Sequence, residues 1–104
     1  MIQQTQEQLT AERLNFSNAV SGLKAIAHPS RLHILCSLVR TEMTVGDLVK
    51  RLGLSQSAVS QHLGKMKAAG ILEDRRSGNH VFYGLKDEVY AELVTTICRI
   101  YNDR

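Results

Sequence analysis

The sequence is poor in cysteine and proline: two cysteines, 62 residues apart, and one proline in 104 residues. So sparse a pair does not make the framework of a disulfide-stapled secreted domain, and thiols of this kind belong to reducing compartments. No run approaches the eighteen or so apolar residues of a membrane span. The opening MIQQTQEQLTAER has neither the basic nor the apolar region of a secretory signal, so a cytoplasmic location is expected. With 43% hydrophobic and 22% charged residues the composition is that of a globular chain. Its length predicts one domain over 1–104. A chain this short buries only about two-thirds of its unfolded surface, which leaves little material for a deep catalytic pocket. A nucleophile–base constellation, a glycine-rich phosphate loop and a metal cluster are all missing, so no enzymatic activity and no cofactor are expected.

Charge is unevenly spread. The formal total is +3. Residues 1–27 are neutral, residues 28–86 carry nine Lys/Arg against four Asp/Glu, and residues 87–104 are net acidic. A basic centre between neutral and acidic ends suggests an anionic partner, with nucleic acid first in line.

The apolar spacing predicts a mainly α fold with one small β-hairpin. Leu9, Phe16, Val20, Leu23 and Ala27 share one helical face over about 7–27. His28-Pro29-Ser30 ends that helix and opens the next, because the residue before proline avoids the helical region and proline suits a first turn. The second helix is expected to run to about Arg40, with Leu32, Leu35, Cys36 and Val39 on its stripe. Thr44 is placed to N-cap a third helix, with Asp47 as its capping-box partner and Gly53 as its stop. Ser55 then caps a helix over 56–69, whose inner face is Val59, Leu63 and Met66. Beyond Gly70 the period changes. Two short runs around Ser77-Gly78-Asn79 predict a hairpin over 71–85. A last helix over about 87–101 carries two neighbouring apolar stripes, Val89, Leu93, Ile97, Ile100 and Tyr90, Val94, Cys98, Tyr101.

Residues 44–69 have the helix–glycine turn–helix layout of a DNA reader. The second of these helices is expected to expose Gln56, Ser57, Ser60, Gln61 and His62, with Lys65 and Lys67 a turn later. Between Thr44 and Glu73 the sole acid is Asp47. Glutamine can pair the N6 and N7 edge of adenine, and serine can donate or accept at base edges. A helix N-terminus, here at Thr44 and Ser55, offers free N–H groups to phosphate, and lysines neutralise backbone charge. A hairpin directly after such a helix makes a wing. Arg75 and Arg76 enter it, and Asn79 and His80 lie at or near its tip. The same residues would also suit a polar solvated helix and a solvent-facing loop; the coincidence of glycine turn, short polar side chains, absent acids and basic flanks favours DNA.

The runs LKAIAHPSRL (23–32) and LSQSAVSQHL (54–63) resemble the ArsR/SmtB family of bacterial winged-helix repressors, nearest to a branch with sulfide-responsive members. The resemblance extends from about Leu14 to Tyr101. It implies a homodimer joined through the first and last helices (1–27 and 87–104) and recognition helices in the major grooves of a palindromic double-stranded operator. Matching positions put base contact on Gln56, Ser57, Ser60 and Gln61, and wing contact on Arg75 and Arg76. The sequence supports a dimer independently, because the apolar faces of the first and last helices are too broad for one small core to cover.

Metal-sensing relatives carry Cys-x-Cys where this chain has Thr44-Val45-Gly46, or histidines on the last helix, where this chain has Asp87, Glu88 and Glu92 but no histidine. No metal site is expected, since zinc needs three or four close ligands. Cys36 matches the second-helix cysteine of the sulfide-responsive branch. The position of that branch's second cysteine is Asn102 here, and Cys98 lies one helical turn earlier on the same face. Both thiols are therefore either a switch or small core residues. Two further readings stand beside the DNA-binding regulator: the same regulator controlled by Cys36 and Cys98, and a winged-helix protein-interaction module without DNA affinity. The effector is left open.

Overall fold

The computed structural model describes residues 14–102. The described residues form five helices and one hairpin: α1 (Phe16–Ile26), α2 (Pro29–Leu38), α3 (Val45–Leu52), α4 (Gln56–Ala68), β1 (Leu72–Ser77), β2 (His80–Leu85) and α5 (Glu88–Tyr101). Each helix begins at a side chain that satisfies a free N–H of the first turn. Asn15 Oδ1 accepts from Asn18 N, Thr44 Oγ1 from Asp47 N, Ser55 Oγ from Ala58 N and Asp87 Oδ1 from Val89 N. The capping box is complete, since Asp47 Oδ2 accepts in return from Thr44 N at 3.1 Å. Gly53 ends α3 at φ 70°, a left-handed conformation that suits glycine.

Two helix boundaries differ from expectation. The first helix starts at Phe16, because Asn15 takes an extended conformation and caps it; the predicted residues 7–13 lie outside the described part of the chain. The second ends at Leu38 rather than Arg40. Its N-cap is His28, whose Nδ1 accepts from Ser30 N at 3.1 Å.

The core joins all five helices and β1, with α1 entering it through Ile26. Val59, Leu63 and Met66 of α4 are fully buried, as their spacing predicts, with Leu48, Ile71, Leu72 and Val94. On α2 the buried apolar residues are Ile34, Leu35 and Leu38, whereas Leu32, Cys36 and Val39 of the expected stripe are only half-buried. The reason is position: α2 touches α1, α3, α4, α5 and β2, so it is enclosed on several sides instead of presenting one stripe. The hydroxyl of buried Ser37 donates to His33 O at 2.9 Å, which satisfies it within the helix.

The hairpin is antiparallel, with Leu72 opposite Leu85 and Ser77 opposite His80. Gly78 turns it at φ 61°, at the position where a type II′ turn takes glycine. Met43 adds a short third member. Its N–H donates to Tyr83 O at 3.0 Å and its carbonyl accepts from Tyr83 N at 2.8 Å. This bridge fastens the wing to the residues that lead into α3.

Candidate nucleic-acid interface

Burying Val59, Leu63 and Met66 turns the opposite side of α4 to solvent. Gln56, Ser57, Ser60 and Gln61 are exposed there, with Lys65 one turn on. Thr44 and Ser55 spend their side-chain oxygens on the helix caps; the Ser55 hydroxyl, which only accepts in this way, still has its proton to donate. Asp47 is the one acid in this segment. Hydrogen bonds from the Thr44 backbone and hydroxyl hold its carboxyl below the usual carboxylate range, so it remains an ionised helix cap.

His62 departs from expectation. It is half-buried, and its ring lies 4.7 Å from that of His28, tilted by 45°. Its Nδ1 is buried without a hydrogen-bond partner. The side chain flanks the inner stripe of α4 and packs toward the α1–α2 joint. Burial, then the neighbouring His28, Arg31 and Lys65, lower its pKa from the ordinary 6.5. The folded protein therefore binds a proton here less readily than the unfolded chain, and stability falls as pH drops below about 6.5. Thermal melts at pH 7.5 and 5.5 should show a loss at the lower pH that shrinks in His62→Asn. An equal loss in both proteins would remove His62 from this role.

The wing tip exposes Arg76, Asn79 and His80. Arg75 is engaged: its Nε donates to Glu42 Oε1 at 2.7 Å, and its guanidinium sits 4.8 Å from the Phe82 ring centre. Lys67 Nζ donates to Asp74 Oδ2 at 2.9 Å. Glu42 leaves no periodic trace in the sequence because its pairing spans 33 residues, and Phe82 meets Arg75 only through the register of the hairpin.

The two thiols meet. Cys36 Sγ on α2 and Cys98 Sγ on α5 are 3.1 Å apart, both reduced. Burial first, and then the hydrogen bond and charge of Cys98, push the Cys36 thiol up to about 11. Among the described residues, no group of three His, Cys, Asp or Glu side chains is placed to hold a metal ion, and no helix is long and apolar enough to cross a membrane.

A helix pair joined by a glycine turn, followed by a hairpin packed on the second helix, defines a winged helix-turn-helix protein. Residues 28–74 match the family described as bacterial regulatory protein, arsR family. The transcriptional activator HlyU of Vibrio cholerae is 41% identical over 87 residues, covering 84% of this chain and 81% of HlyU. Its structure superposes with a TM-score of 0.81, at 40% identity over 88% of this chain and 99% of that one. The biofilm growth-associated repressor of Xylella fastidiosa (strain Temecula1) is 39% identical over 86 residues, covering 82% of this chain and 75% of the repressor. The homodimeric winged helix-turn-helix DNA-binding domain Mb0332 of Mycobacterium bovis superposes with a TM-score of 0.77, at 27% identity, covering 82% and 79% of the two chains. The chain belongs to the ArsR family and is a DNA-binding transcriptional regulator.

Proposed function

We propose that the protein works in the cytoplasm as a homodimeric repressor that occludes promoters by binding inverted-repeat operators. One observation carries this reading: the acid-free outer face of α4, where Gln56, Ser57, Ser60 and Gln61 stand exposed on a rigidly capped helix. Side chains of this length and chemistry suit base edges in a major groove. Exposed apolar residues on α1 and α5 provide the dimer surface, and a two-fold pair would set two reading helices roughly 34 Å apart. The test is footprinting on promoter DNA, with binding followed against salt. A protected palindrome and a steep salt dependence are expected. Gln56→Ala should cost about 1–3 kcal/mol at particular base pairs and relax specificity there. Binding that ignores both sequence and salt would favour the protein-interaction module.

A second reading adds control by Cys36 and Cys98, and the 3.1 Å separation of their sulfurs favours it. A peroxide or a persulfide would serve as oxidant. Two thiols would then give one disulfide, with two electrons and two hydrogens passing to the oxidant. The bond would join α2 to α5 and so link the core that carries α4 to the dimer surface.

A further inference from the structure

Part of the wing's positive charge is already spoken for inside the molecule, and the pattern of pairing divides its two arginines. Successive side chains of a strand point to opposite faces. On β1, Leu72, Asp74 and Arg76 therefore share one face, and Glu73, Arg75 and Ser77 the other. Leu72 is in the core, and Asp74 is bound by Lys67 of α4. The face of Arg76 is thus the one turned toward the reading helix. Its exposed side chain has no carboxylate within 4.0 Å among the described residues.

The other face is occupied by Glu42. Its carboxylate takes the Nε of Arg75, and its Cγ lies over Gly84, where an added Cβ would come within 3.1 Å of it. The same Arg75 guanidinium rests on Phe82, its cross-strand partner. Glu42 also adjoins Met43, whose backbone pairs with Tyr83. Ion pair, cation–π contact and backbone bridge all tie the wing to the entrance of α3. Having no side chain, Gly84 leaves Glu42 room to lie flat; a larger residue there would push it off.

We propose that Arg76 is the wing's DNA contact, whereas Arg75 is a strut and Glu42 the positioning residue that makes it one. This rests on the DNA-binding reading. The strut fixes the angle of the hairpin against the helix-turn-helix, and Arg76 is the charge that the fixed hairpin delivers to the duplex.

The test uses a fluorescent random-sequence 30-bp duplex, with affinity measured from low to moderate salt for the wild type and for Arg75→Ala, Arg76→Ala, Arg76→Lys and Glu42→Ala. Arg76→Ala should flatten the slope of log affinity against log salt by about 0.9 for each phosphate that Arg76 neutralises, and Arg76→Lys should keep it. Arg75→Ala and Glu42→Ala should leave the slope in place and lower the melting temperature by about 2–5 °C each. The double variant should melt no lower than Arg75→Ala alone, because the ion pair that Glu42→Ala removes is already lost there. A slope flattened by Arg75→Ala and not by Arg76→Ala, or melting shifts that add, would overturn the assignment. A flat slope in the wild type would instead bring down the DNA-binding reading beneath it.

Discussion

Val20→Glu is expected to leave a folded monomer that no longer holds an operator. The side chain sits on α1 with Phe16 and Leu23, and Val20, Phe16 and Leu23 are 48%, 62% and 56% exposed, large for apolar residues in a single subunit. Phe16, Val20 and Leu23 occupy positions i, i+4 and i+7 of one helical face. On α5, Val89, Ile100 and Tyr101 are exposed as well. A carboxylate at position 20 costs the isolated subunit little, because the site faces water there. In a symmetric interface each copy would bury an unpaired charge, at about 3–5 kcal/mol apiece. That weakens association more than ~10⁴-fold. Operator binding falls with it, since joining two half-site readers raises affinity by about 10²–10⁴ over one alone. Light scattering after size exclusion reads the mass, and duplex titration reads the affinity. Circular dichroism serves as the control for folding. A dimer of unchanged strength would show that these faces serve another purpose.

The legible parts of this fold are those written in local chemistry. Thr44 with Asp47, Ser55, Gly53 and Gly78 each do in the structure what their neighbours in sequence imply. A cap or turn is decided within four residues, so the signal is complete where it is read. The inner stripe of α4 is equally plain, because this helix has one covered side. α2 misleads for the opposite reason. Enclosed by several elements, it buries Ile34 and Leu38 beside Leu35, and no single stripe describes it. His62 shows the same limit on a smaller scale: lying three residues after Val59, it borders the buried stripe, and packing against His28 draws it in. The Glu42–Arg75 and Met43–Tyr83 links join residues far apart in the chain and have no local signature. The thiols fall between these cases. Helical spacing put Cys98 on a favourable face, but only the packing of α5 on α2 determines how closely the sulfurs approach.

Hydrogen peroxide is expected to close a Cys36–Cys98 disulfide, raise the melting temperature by more than about 10 °C and weaken operator binding. A disulfide bond is about 2.05 Å long, so the sulfurs, now 3.1 Å apart, need only a small approach. Exposed Cys98 meets the oxidant first: its sulfur displaces hydroxide from the peroxide and becomes a sulfenic acid. The Cys36 thiolate then attacks that sulfur and expels a second hydroxide. Burial holds the Cys36 thiol above its ordinary value, so its thiolate is scarce at neutral pH. Its fraction, and with it the rate of closure, rises with pH. The closed loop spans some sixty residues, for which chain entropy gives about 4 kcal/mol of stabilisation, or well over 10 °C in a domain of this size. Locking α2 to α5 also restrains the dimer faces relative to the helix-turn-helix, and loss of the reduced arrangement lowers affinity. Cys36→Ser should abolish the melting shift and the change in binding together, leaving Cys98 at the sulfenic stage. Mass spectrometry after thiol blocking counts the bridge directly. A bridge that forms and leaves duplex affinity untouched would make the pair a structural feature without a regulatory role.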